Sequence, residues 1–175
     1  MQQTLMTMTL MKGWLVVGFW AAVQVIVATV ILVITPATAL AAEPVSTGHW
    51  GKTAIGEQDT VAYHSAAVQQ NHQALRGSER YRVSWQGADW YFASQASADK
   101  FRADPQRYRP QYNGHCSNAL SLGEGLIATD GTVWEFFDDQ LHLFYAERGR
   151  QRWLKGDWKH YRSQADAAWS KLVAE

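Results

Sequence analysis

From Gly13 to Ile34 the chain runs without a charged residue, GWLVVGFWAAVQVIVATVILVI, with Gln24 and Thr29 as its clearly polar positions. At about 1.5 Å of rise per residue, such a run forms a helix long enough to cross a bilayer core of roughly 30 Å. Lys12 precedes it, and Pro36 with small residues follows; Ala37-Thr38-Ala39 and Ala39-Leu40-Ala41 each offer an A-x-A cleavage pattern. Residues 1–42 are therefore expected to be an export signal, either cleaved as a signal peptide or kept as a signal anchor. The rest of the chain is then expected to be periplasmic or otherwise extracytoplasmic. The chain has four Met, at positions 1, 6, 8 and 11, and Met11-Lys12-Gly13 would itself open a well-formed signal, so a start at Met11 is a second reading.

Beyond the leader the composition is that of one ordinary domain. Lys+Arg 16 balance Asp+Glu 16 and the pI is about 7.0, so there is no basic excess to neutralise a run of phosphates. Nucleic-acid binding and a polybasic membrane-surface role are excluded as the main activity on that ground. Cys116 is the single cysteine, so an internal disulfide is impossible and stability must come from packing, although an intermolecular disulfide stays open. No Met follows Met11, so any soft metal site in the exported part must use Cys116.

Residues 43–58 carry Pro, Gly, Ser and Thr without periodicity and are expected as an irregular linker into a domain over 59–175. Tyr81–Trp85 alternates apolar and polar, Gln86-Gly87-Ala88-Asp89 supplies a turn, and Trp90-Tyr91-Phe92 resumes, which predicts a β-hairpin. Ser94 or Ser97 is expected to cap a short helix bearing Phe101, and Asp104-Pro105 to start another. A short helix is expected from Cys116, and a second hairpin from Thr132–Phe137 and Gln140–Tyr145 around Asp138-Asp139. Trp158, Tyr161, Ala165, Ala168 and Leu172 recur at helical spacing after Asp157, a capping residue. The expected fold is α+β: a small antiparallel sheet of two hairpins, covered by short helices and a C-terminal amphipathic helix.

In order along the chain stand Asp59-Thr60-Val61-Ala62-Tyr63, then Trp90-Tyr91-Phe92-Ala93-Ser94, then Phe101 with Asp104-Pro105 and Tyr108, then Pro110-Gln111-Tyr112-Asn113-Gly114-His115-Cys116-Ser117. With the strand at 139–145 and a terminal helix bearing Trp158 and Trp169, this order resembles the YHS domain family in its longer, exported form. The resemblance implies metal binding, which short forms of the family, found beside copper-transporting pumps, look to perform through cysteines. Here Ala62 stands where short forms carry a cysteine, Thr60 replaces the family's Pro, and His115 replaces a Tyr.

The donor set with the right chemistry is Cys116 with His115 and His64, a thiolate and imidazoles suited to copper or zinc. Asp59 and Tyr63 are the candidates to orient such ligands, with turn capping the competing role for Asp59. The bland reading of Cys116 is a small buried apolar residue, and of His64 a hydrogen-bonded structural histidine. Cys116 with His64 as its base would alternatively make a thiol nucleophile, although the chain has no G-x-S-x-G, C-x-x-C, H-E-x-x-H or phosphate loop. His142, alternating with Gln140 and Phe144, is expected as a partly exposed sheet residue. The Arg-rich stretch of Arg80, Arg82, Arg102, Arg107 and Arg109 reads as a solvated face, and the tryptophans as core. The leading functional expectation is an exported, non-enzymatic module that binds copper or zinc. The alternative is a metal-free binding or scaffold module that engages a membrane-protein partner or a small molecule.

Overall fold

A computed structural model of the chain describes residues 43–48 and 51–174, so the expected leader over 1–42 lies outside the described residues. Among the described residues no helix is long and apolar enough to cross a membrane. The fold is α+β. Strands β1 (Ser78–Trp85) and β2 (Ala88–Phe92) form the first hairpin, and β3 (Val133–Phe137) and β4 (Gln140–Phe144) the second. Both turns have positive φ at their two central residues, Gln86 (48°) with Gly87 (74°) and Asp138 (49°) with Asp139 (59°). That pair of conformations matches the twist of tightly paired antiparallel strands, so the first turn is two residues long and Ala88 already belongs to β2.

The two hairpins are separate two-stranded sheets, where one sheet was expected. The free side of β2 is taken by the preceding segment, with Asp89 N–H donating to the Lys52 carbonyl at 2.7 Å. The other edge, β1, is mostly exposed and carries Glu79, Arg80 and Arg82, which protect an open edge against pairing. The hairpins meet through side chains instead: Trp90, Phe92, Phe101, Tyr63, Trp134 and Leu143 form one buried cluster.

The helices begin where their caps predict. Ser94 caps α2 (Gln95–Ala103), accepting from Ser97 N–H at 3.1 Å, and Asp104 caps α3 (Pro105–Tyr108), accepting from Arg107 N–H at 3.1 Å. Between the first hairpin and the leader sits α1 (Ala66–Asn71), and after α3 comes α4 (Ser117–Ser121). Helix α5 (Glu147–Lys155) brings Trp153 to Phe137 and Phe144, and α6 (Trp158–Leu172), capped by Asp157, packs Ala165 with Tyr112 and Leu120.

Residues 43–58, expected as a linker, are anchored in the domain by Ser46, Ala54 and Ile55, all buried. Ile55 is fully buried in left-handed backbone (φ 42°), a conformation that costs a β-branched residue roughly 1–3 kcal/mol, and burial of its side chain offsets that cost. Gly114 (φ 86°) lies directly against it, and a Cβ there would collide with the Ile55 Cγ2.

Asp59 ties three segments together. Its Oδ1 accepts from the Val61 and Ala62 N–H groups at 2.9 and 3.1 Å, its Oδ2 from Ala93 N–H at 2.9 Å, and its own N–H donates to the Leu75 carbonyl. Asp59 is 1% exposed, and its bonds to Val61 and Ala62 are buried from water, that to Ala93 partly so.

His142 also departs from the expected place. It is fully buried, because β4 is covered on both faces: Leu141 and Leu143 point into the central cluster, while Phe144 joins Phe137 and Trp153 on the other side. Its Nδ1 shares a hydrogen bond with the Ser117 hydroxyl at 3.0 Å, its Nε2 has no partner, and Trp153, Phe137 and Tyr112 surround the ring at 5.1 to 5.8 Å.

Two predictions follow from these buried polar groups. Asp59→Ala takes the side-chain acceptor from the Val61 and part-buried Ala93 N–H groups, while Ala62 N–H keeps the Asp59 carbonyl, and lowers stability by roughly 2 kcal/mol in urea unfolding, with Asp59→Asn recovering only part of it. Burial, with the Arg162 charge adding to it, pushes His142 from 6.5 down to about 3. Below pH 6.5 the unfolded chain takes up a proton that the folded chain refuses, so stability falls as pH drops toward 3, by up to about 1.4 kcal/mol per pH unit from this residue. His142→Leu removes that part of the slope; an unchanged slope in the variant contradicts the assignment.

Candidate functional site

Cys116 sits at the N-cap of α4, where a small acceptor is wanted, and its Sγ accepts from Ala119 N–H at 3.4 Å and from Tyr145 N–H at 3.3 Å. It is 3% exposed and borders a cavity of about 390 Å³ with Tyr145, Arg148 and Gly149. His115, one residue earlier, turns away: its Nδ1 pairs with the Tyr112 carbonyl at 3.0 Å, and it borders a different cavity of about 370 Å³ with Leu126 and Tyr145. Burial pushes the His115 pKa below its usual value, against the pull of that carbonyl.

His64 closes a one-turn 3-10 helix (Ala62–His64) whose first N–H groups Asp59 satisfies. Its ring stands edge-on to Phe136 at 5.0 Å and to Tyr108 at 5.4 Å, and its buried Nε2 has no hydrogen-bond partner. Burial, and secondarily the Arg107 charge, pushes its pKa below 6.5, so the ring is neutral at pH 7. It borders a third cavity, of about 580 Å³.

The three expected ligands thus line three separate cavities. Among the described residues no group of three or more His, Cys, Asp and Glu side chains is placed to hold a metal ion. A closed cage built from Cys116, His64 and His115 does not fit this geometry. Among the described residues the partners of the Cys116 sulfur are backbone amides, and no imidazole is hydrogen-bonded to it as a base. Asp59 spends its carboxylate on backbone N–H groups, and Tyr63 donates its hydroxyl to the Gly131 carbonyl at 2.6 Å, so among the described residues neither side chain is hydrogen-bonded to a histidine. The Arg-rich stretch is partly spent in local contacts, Arg102 on Asp99 and Arg82 near Glu79 and Asp89.

What remains chemically open is His64 and the wall around it. That wall comes from α1 and its C-cap (Gln69, His72), from α3 (Gln106, Arg107), from β3 (Trp134, Glu135, Phe136) and from the second turn (Asp139, Gln140). His72 was not among the expected site residues. It ends α1 in left-handed backbone (φ 50°), stacks on Trp134 at 4.1 Å and 15°, and hydrogen-bonds the Trp134 carbonyl through Nε2 at 3.1 Å. Nothing local announces this, because the partner is 62 residues away along the chain. Glu135 is already held by Arg150 at 2.7 Å.

No curated protein and no solved structure matches the chain. The family model of the YHS domain matches residues 70–112, which take in the first hairpin, α2 and α3. Of the cavity wall, His72, Gln106 and Arg107 fall inside the matched segment, while His64, His115 and Cys116 fall outside it. With its first hairpin and the helices behind it matched in this way, the chain is a YHS domain-containing protein.

Proposed function

We propose that this chain is an exported, non-enzymatic module that binds a transition-metal ion, copper foremost and zinc next, with His64 as its principal protein ligand. The observation that supports this reading is the His64 ring: a neutral imidazole on a residue that lines a polar cavity, whose buried Nε2 has no hydrogen-bond partner among the described residues. A neutral imidazole has a lone pair to give, and imidazole nitrogen suits copper and zinc. Export rests on the uncharged run 13–34 and the cleavage patterns after it. In this reading the metal is cargo or signal; among the described residues the Cys116 sulfur is held by backbone amides.

A second reading is favoured by the cavity itself. At about 580 Å³, floored by Trp134 and Phe136 and rimmed by glutamines, it lies within the usual range for a small-molecule site. The test is competition of Cu and Zn against a chromogenic chelator, with the reduced full chain and the variants His64→Ala, His115→Ala and Cys116→Ala. Stoichiometric binding weakened roughly 100-fold by His64→Ala and little changed by the other two is expected. Absence of binding in the wild type overturns the metal reading and leaves the small-molecule one.

A further inference from the structure

Resting on that reading, we infer that His72 is the second ligand, and that His64 and His72 form an open two-imidazole site for divalent copper and not for Cu(I). Both rings belong to the wall of one cavity and both are backed by β3, His64 against Phe136 and His72 against Trp134. His72 already has the arrangement a ligating histidine adopts. One ring nitrogen, Nε2, is fixed on a backbone carbonyl, which sets the tautomer and leaves the lone pair on Nδ1 for a metal. The stacked Trp134, 1% exposed, holds the plane of that ring, while the ring itself is exposed and reachable from solvent.

Metal selectivity follows from what the wall lacks. Cu(I) is taken by soft sulfur, whereas imidazole with oxygen donors suits Cu(II) above Zn(II). Among the described residues the cavity has no sulfur on its wall, since Cys116 borders a different one. Arg107 is the opposing charge on the wall, with Asp139 to offset it, since Glu135 is held by Arg150; the amide oxygens of Gln69, Gln106 and Gln140, with water, complete the donors on the wall. Two protein nitrogens with solvent positions left open describe a site that accepts and passes on an ion, in contrast to a closed structural site.

The experiment uses the full chain in detergent, loaded once with Cu(II) and studied by electron paramagnetic resonance, and titrated separately with Cu(I) under anaerobic chelator competition. The expected Cu(II) spectrum shows two equivalent-type imidazole nitrogens, falling to one in His72→Gln with affinity reduced about tenfold or more. His72→Asn repeats the measurement on a second side chain, and circular dichroism of each variant confirms the fold. A spectrum unchanged in both His72 variants while His64→Ala abolishes binding overturns the second ligand and leaves the metal reading standing. Preferred uptake of Cu(I), or dependence on Cys116, overturns the divalent site. No copper bound in any state overturns both readings together.

Discussion

One buried carboxylate organises the part of the molecule where chemistry is available. Asp59 is almost wholly withdrawn from water, and such a group is tolerated only because its charge is spread over the N–H groups of Val61, Ala62 and Ala93. Those bonds fasten the turn that ends in His64 to the end of β2, and the neighbouring Thr60 hydroxyl fastens the same turn to the Tyr108 carbonyl at the end of α3. The imidazole is thus placed against Tyr108 and Phe136 by backbone that has little freedom to move. A positioned side chain with an unsatisfied atom is a different object from the same residue on a loose loop, because the ordering cost has already been met by the fold.

The aromatic residues do the rest of the holding. With one cysteine there is no covalent brace, and the two hairpins share no backbone hydrogen bonds as a sheet. Side chains such as Trp90 and Trp134, each 1% exposed, span the gap that sheet pairing would otherwise close, while Trp153 packs α5 on the second hairpin. Trp134 serves two purposes: its indole is core, and its backbone carbonyl and ring face position His72.

How much of this was legible follows the range of the interaction. Hairpin turns and the caps at Ser94, Asp104 and Asp157 depend on residues within a few positions of one another, and the sequence announces them. The capping alternative for Asp59 was also local, and the structure adds the distant bond to Ala93. The separation of Cys116, His115 and His64 was not legible, since adjacency of His115 and Cys116 says nothing about which way each side chain turns. His142 was misjudged because strand alternation presumes one wet face, and β4 has none. His72 was invisible for the same reason that Ile55 was: its role is set by a partner far along the chain, reached through left-handed backbone that no local pattern demands of a non-glycine residue.

The placement of Cys116 has a consequence for how this chain relates to its neighbours. A disulfide needs two sulfurs within about 2.05 Å, and a thiol that is 3% exposed and engaged by two backbone amides offers a second chain no approach while the domain stays folded. In an oxidising compartment, where unpaired thiols are normally a route to unwanted crosslinks, this one is sequestered. A disulfide between chains at this position then requires the domain to open first, so that local opening, and not encounter, sets the pace of any such crosslink.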